Sequence, residues 1–297
     1  MNRMNPMNTY SWLIRREFWE NRAIWIVPLV IGGALTLAAL FGRVDFGFFP
    51  SPEESRVISG PVLFAFGVTF FVVMSIYSSW YLLDCLYADR KDRSVLFWKS
   101  LPISDTATVL AKLFTGLIVI PLVYFIAADV TTLLIAFILS VRGRALFGSA
   151  LWQPGIWLQL QAIWLYLIAT TAIWYLPFAG WLVAVSAWAK RAVMLWSILP
   201  PLALFLLERW FFGTHVFGQA LVARALDYPA EAFRDAPDHS AWVTTIIGGK
   251  TVTTPDSLIH FFNPLGFFSS PQTWIGVLVG AALILGAIQL RLRRTEV

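Results

Sequence analysis

Apolar and polar positions alternate along this chain in whole segments. Long apolar runs cover 23–41, 60–83, 108–141, 158–188, 192–212 and 274–290, with short polar or charged stretches between them. About 20 apolar residues in a helix cross the hydrocarbon core of a bilayer. The pattern therefore predicts six transmembrane helices and an all-α polytopic membrane protein. The run at 108–141 exceeds the roughly 30 Å core, so tilt or a kink at Pro121 must absorb the excess. A second kink is expected at Pro177.

Residues 1–22 carry Arg15, Arg16, Glu17, Glu20 and Arg22 where a signal peptide would be apolar. Tyr10, Leu13, Ile14 and Phe18 keep helical spacing, which predicts an amphipathic helix on the inner membrane surface. Residues 23–297 then form one transmembrane domain, with a charged inner loop at 84–107 and a long outer loop at 213–270. In the outer loop, a short helix broken at Pro229 and a hairpin turning at Gly248-Gly249 are expected.

Composition supports this reading. Of 297 residues 58% are hydrophobic and 13% charged, against about 25% charged in a soluble protein. The net charge of +5 would suit nucleic acid, but its placement follows membrane topology instead. Fourteen Lys and Arg fall on the segments proposed to lie inside, against four on the two short outer loops. Both termini are thus expected in the cytoplasm. Trp19, Trp25, Trp152, Trp157, Trp188, Trp210 and Trp274 lie near predicted span ends, where an aromatic belt would sit.

Candidate chemistry is sparse. Gly248-Gly249-Lys250-Thr251 resembles the end of a phosphate-binding loop, but position 244 is Thr where that motif needs Gly. His215, His239 and His260 have no partner at metal-ligand spacing, and Cys85 is the single cysteine. No catalytic residue and no metal site is therefore assigned. Asp129 lies deep in the third run, where a carboxylate is costly. It is either a substrate-path or proton-relay residue or a structural hydrogen-bonding group. Tyr77, in a hydroxyl-rich second run with a face toward other helices or a cavity, and Trp174 and Trp181, which with Trp188 recur every seven residues, either line a path for an amphipathic substrate or serve packing and lipid contact. Gly276 and Gly280, with Gly286 further on, have the small-residue spacing of close helix packing within or between subunits.

The inner loop holds Asp89, Arg90, Lys91, Asp92 and Arg93, followed by Leu96 and Trp98, then Leu101-Pro102-Ile103-Ser104 and Lys112. A helix here would present charge to the cytoplasm with its aromatic residues anchored, and Ser104 or Asp105 could cap the next helix. These elements, with the topology, resemble type-2 ATP-binding-cassette exporter permeases. In that family an acidic-basic pair, a Gly-Thr-like step (Arg93-Ser94 here), a Leu-Pro-Val/Ile-Ser step and a later Lys mark the loop between the second and third spans. This chain departs in having Asp89 for the usual Glu, Arg93 for Gly, and Asp105 where a basic residue is common.

The resemblance implies a multi-pass permease subunit of the bacterial inner membrane, paired with a second permease subunit. Separate cytoplasmic ATPase subunits would bind ATP and Mg and dock on the 89–104 segment. An amphipathic or hydrophobic substrate would be exported. Two alternatives are a secondary transporter coupled to protons through Asp129, and a membrane-embedded hydrolase or sensor built on the outer loop.

Overall fold

The computed structural model describes residues 6–41, 52–92, 104–142, 154–234, 242–247, 250–255 and 258–293. The first half of the chain forms α1 (Pro6–Glu20), α2 (Ala23–Phe41), α3 (Pro52–Lys91), α4 (Asp105–Phe114) and α5 (Ile120–Val141). The second half forms α6 (Pro154–Trp174), α7 (Leu176–Trp188), α8 (Val193–Leu207), α9 (Val216–Leu226), α10 (Tyr228–Ala232), α11 (Pro264–Ser269) and α12 (Pro271–Arg293). Strands β1 (Trp242–Ile247) and β2 (Lys250–Pro255) pair antiparallel, with Ile247 opposite Lys250, as the expected hairpin requires. Its turn, 248–249, lies outside the described residues, as do His239 and Arg93, Leu96, Trp98, Leu101 and Pro102 of the inner loop.

Six described segments are long and apolar enough to cross a membrane: Ala23–Phe41, Ala65–Lys91, Asp105–Ile138, Trp157–Trp174, Val193–Phe212 and Pro271–Arg293. The protein is a polytopic, largely helical membrane protein.

Proline chemistry shapes the long runs. Pro121 has no N–H to donate, and its ring would crowd the carbonyl one turn back. The chain answers with a π-helical turn over Thr115–Val119, where the Ile120 N–H reaches the Thr115 carbonyl. Such a bulge loosens the turn that proline would otherwise break. Near Pro177 the helix is interrupted at one residue, Tyr175: α6 ends at Trp174, and Pro177 sits in the first turn of α7, where its missing N–H costs nothing.

The two largest apolar clusters among the described residues hold the bundle. One joins Ile24, Phe70, Leu82, Val109, Tyr124, Val183 and Ile284. The other joins Ala39, Ile135, Leu160, Trp174, Tyr228 and Phe267, so α10 and α11 of the 213–270 segment pack onto the helical bundle. Helices α7 and α12 make the broadest contact among the described elements. Gly280 is the reason they come close. A Cβ added there would lie 2.8 Å from the Leu176 carbonyl carbon, and one on Gly180 would lie 2.8 Å from the Gly280 carbonyl oxygen.

Candidate functional site

Helix α5 presents Pro121, Tyr124, Phe125, Ala128, Asp129 and Thr132 to a cleft. That spacing of three and four residues is one helical face. Helix α6 contributes a matching stripe of Trp157, Leu160, Gln161, Trp164 and Ile168, and α3 closes the third side with Gly67, Phe70, Phe71 and Met74. Trp164 enters only because Gly67 has no side chain, since a Cβ there would lie 2.1 Å from the indole ring. The cleft holds about 560 Å³ between side chains, counting its open mouth, and leaves about 40 Å³ for water. A water needs at least roughly 10–15 Å³ on such a measure, so a few can enter.

Its polar content is specific. Gln161 Nε2 donates to Asp129 Oδ1 at 2.7 Å, a pairing between residues 32 positions apart in adjacent membrane helices. Gln161 Oε1, the Tyr124 hydroxyl and Trp157 Nε1 are buried without a hydrogen-bond partner. Buried polar atoms are nearly always satisfied, and exceptions point to strain, function or an unseen ligand. Three exceptions on the lining of one cleft, beside an intramembrane carboxyl, form a built polar site.

At one end of the bundle lies a second ionic feature. Lys112, 3% exposed, sits 2.9 Å from Glu17 Oε1 and 3.3 Å from Asp89 Oδ1. Arg291 of α12 bridges Asp89 at 3.3 Å and Asp105 at 2.8 Å. Arg16 reaches Glu20 at 2.9 Å and Asp89 at 3.7 Å, and the Tyr81 hydroxyl donates to Glu17 Oε2 at 2.8 Å. Burial alone would lower the Arg16 pKa, but its hydrogen bond to Glu20 and the charges of Glu17, Glu20 and Asp89 outweigh burial and raise it. The network therefore ties α1, α3, α4 and α12 together through paired charges.

The structure places the residues singled out from the sequence in several environments. Asp89 is buried within the charge network instead of facing solvent. Arg90 donates to the Ser186 and Ala189 carbonyls at the end of α7, while Lys91 and Asp92 are exposed. Helix α3 runs on to Lys91, so the first turns of the 84–107 loop are helical. Ser104 caps α4, its Oγ accepting from the Ala107 N–H at 3.1 Å.

Tyr77 stacks on Tyr124 at 6.2 Å, next to the cleft. Trp174 and Trp181 do not line it. Trp174 donates to the Arg224 carbonyl and lies under the Arg224 guanidinium, and Trp181 donates to the Ser197 carbonyl. Gly276 leaves space for the Arg224 guanidinium, Gly280 packs within the chain on α7, and Gly286 faces open space. Glu208 accepts from the Phe217 N–H at 2.9 Å and so caps α9.

Sequence reasoning missed Tyr124, Trp157, Gln161 and Trp164. The available signal was Gln159-Leu160-Gln161 inside an apolar run, since an amide in hydrocarbon needs a partner just as a carboxylate does. Among the described residues no group of three His, Cys, Asp or Glu stands ready for a metal ion. Comparison of the chain with protein-family models, with curated proteins and with solved structures finds no match.

Proposed function

We propose that this protein is a proton-coupled membrane transporter in which Asp129 carries the exchanged proton. The carrying observation is the Asp129–Gln161 hydrogen bond in a cleft among apolar helices. An amide holds a donor and an acceptor on one planar group. With Asp129 ionised, Gln161 donates through Nε2; with Asp129 protonated, the amide turns over and accepts through Oε1. The pair stays bonded in both states, so neither leaves the carboxyl stranded in low dielectric.

Supporting groups run toward the charged end. Tyr77 stacks on Tyr124, and Tyr81, one turn along α3, bonds Glu17 in the charge network. That network joins four acids (Glu17, Glu20, Asp89, Asp105) to three bases (Arg16, Lys112, Arg291). It offers a relay of exchangeable partners and a latch between α1, α3, α4 and α12, whose re-pairing would accompany alternating access. The charged end faces the cytoplasm, as its Lys and Arg content favours.

The test uses the purified chain alone in liposomes holding a pH-sensitive dye. An imposed pH gradient should collapse faster with the wild type than with empty liposomes, and Asp129→Asn should return the rate to the empty-liposome level. Equal rates for wild type and Asp129→Asn would sink the assignment.

A second reading, an ATPase-driven exporter subunit, is favoured by one contact. Asp89 and Lys112, the acidic residue and the lysine of the permease-like motif, form an ion pair. On that reading exposed Lys91 and Asp92 belong to the surface that meets the ATPase. It predicts that transport requires a co-purifying ATPase chain and ATP, and that the purified chain alone moves no protons.

A further inference from the structure

We infer that the Asp129 cleft binds an organic ammonium cation with an apolar or aromatic body, which competes with a proton for the same carboxyl. The inference rests on the proton-coupled reading and supplies its substrate class. Asp129 brings a negative charge into a cleft whose other lining residues carry none. The partner that the described residues supply to it is a neutral amide, so the charge is left for a ligand to balance.

The unpartnered atoms fit an ammonium group better than a bare metal ion or an anion. Gln161 Oε1 accepts and the Tyr124 hydroxyl accepts or donates, so N–H donors of one ammonium would find acceptors on α5 and on α6. A hard metal ion would take six or more oxygen ligands, and an anion would meet the carboxylate. Trp157 Nε1, a donor only, is suited to a hydroxyl or carbonyl elsewhere on the ligand.

The walls argue for the rest of the molecule. Phe70, Phe71, Tyr124, Phe125, Trp157 and Trp164 line the same cleft, and Phe71 and Trp164 lie 6.0 Å apart at 39°. Aromatic faces attract cations, most strongly where water is excluded, and also pack an apolar body.

Competition follows from the charge count. When the cation enters against protonated Asp129, the carboxyl O–H bond breaks and the proton passes to water. The carboxylate left behind pairs with the ammonium, so one positive charge replaces another. Within the stretches of helix that line the cleft, the other titratable groups are phenols: Tyr77 and Tyr81 on α3, Tyr124 on α5 and Tyr166 on α6. One end of α3 adds Glu53, Glu54 and Arg56; the other adds Asp84, Cys85, Tyr87, Asp89, Arg90 and Lys91, none of which lines the cleft. Residues 23–41, 65–83 and 154–188 contain no Asp, Glu, Lys, Arg or His. The exchange therefore runs through one carboxyl.

The experiment is calorimetric titration of 2-phenylethylammonium chloride into the purified full-length protein, in two buffers of different ionisation enthalpy. The neutral analogue 2-phenylethanol is the control. The cation should bind with release of a proton, more weakly as the pH falls, and 2-phenylethanol should not bind. Asp129→Asn, which keeps the side-chain shape, should weaken binding about thirtyfold or more, and Asp129→Glu should recover part of it. Equal binding of the two probes, unchanged affinity in Asp129→Asn, or no binding by the wild type would each overturn the cation site. Absent binding together with Asp129-dependent proton flux in liposomes removes the substrate class alone. Asp129-dependent binding without proton release or flux keeps the site and removes proton coupling.

Discussion

Replacing Lys112 with methionine is expected to destabilise the protein by roughly 3–5 kcal/mol, the range for breaking one side of a buried ion pair. Methionine has similar length and no charge, so the change empties little space. What it removes is the cation between Glu17, 2% exposed, and Asp89, 7% exposed. Asp89 would keep Arg16 at 3.7 Å and Arg291 at 3.3 Å. Glu17 would keep neutral donors close by, the Tyr81 hydroxyl at 2.8 Å and the Asn21 amide at 3.3 Å, with a long 3.9 Å approach to the Arg16 cation.

The penalty should therefore concentrate on Glu17, and a double-mutant cycle can locate it. Glu17→Gln keeps an acceptor for Tyr81 and removes the stranded charge. In the Lys112→Met background it should cost much less than it does alone, because the two residues share one interaction. Thermal unfolding in detergent, followed by intrinsic Trp fluorescence, measures both changes. Lys91→Met, at an exposed position, serves as the comparison and should stay within about 0.5 kcal/mol. A Lys112→Met shift no larger than that would show that the network contributes no net stability.

The network also marks where sequence reading stops. The membrane helices were legible because lipid demands long apolar stretches with every backbone group satisfied inside the helix. The run at 158–188 was divided at Tyr175, a detail that Pro177 announced. The hairpin was legible from β-branched residues flanking a Gly-Gly pair. By contrast, Glu17 and Lys112 look in sequence like ordinary charges near the membrane surface. Their burial depends on partners contributed by α3 and by each other's helix, and no local pattern encodes that meeting. Asp129 could be picked out because an intramembrane acid is costly wherever it points, but its partner Gln161 lies 32 residues away. The seven-residue tryptophan spacing placed Trp174, Trp181 and Trp188 on one face of a continuous helix. The break at Tyr175 ends that continuity, and Trp174 and Trp181 donate to carbonyls in different elements.

The glycines of α7 and α12 separate backbone contact from mere small-residue content. Gly280→Ala is expected to cost about 1–3 kcal/mol, the range for forcing extra atoms into a filled interface. The upper part of that range is favoured because the opposing atoms include the Leu176 carbonyl carbon at 2.8 Å and oxygen at 2.9 Å. Backbone cannot step aside as a flexible side chain can, so the helices must separate. Separation would forfeit dispersion contacts along the broadest helix pair in the bundle. In lipid no hydrophobic force exists to press the helices together again. Gly180→Ala meets the Gly280 carbonyl oxygen at 2.8 Å and should behave alike. Gly276→Ala overlaps only the end of the Arg224 side chain, which can move, and should cost less. Gly286→Ala meets nothing within 4 Å and should be neutral, or stabilising by up to about 1 kcal/mol through helix propensity. Unfolding temperatures of the four variants, measured side by side, test this order. If Gly280→Ala and Gly286→Ala prove equal, close contact between α7 and α12 is not what holds them together.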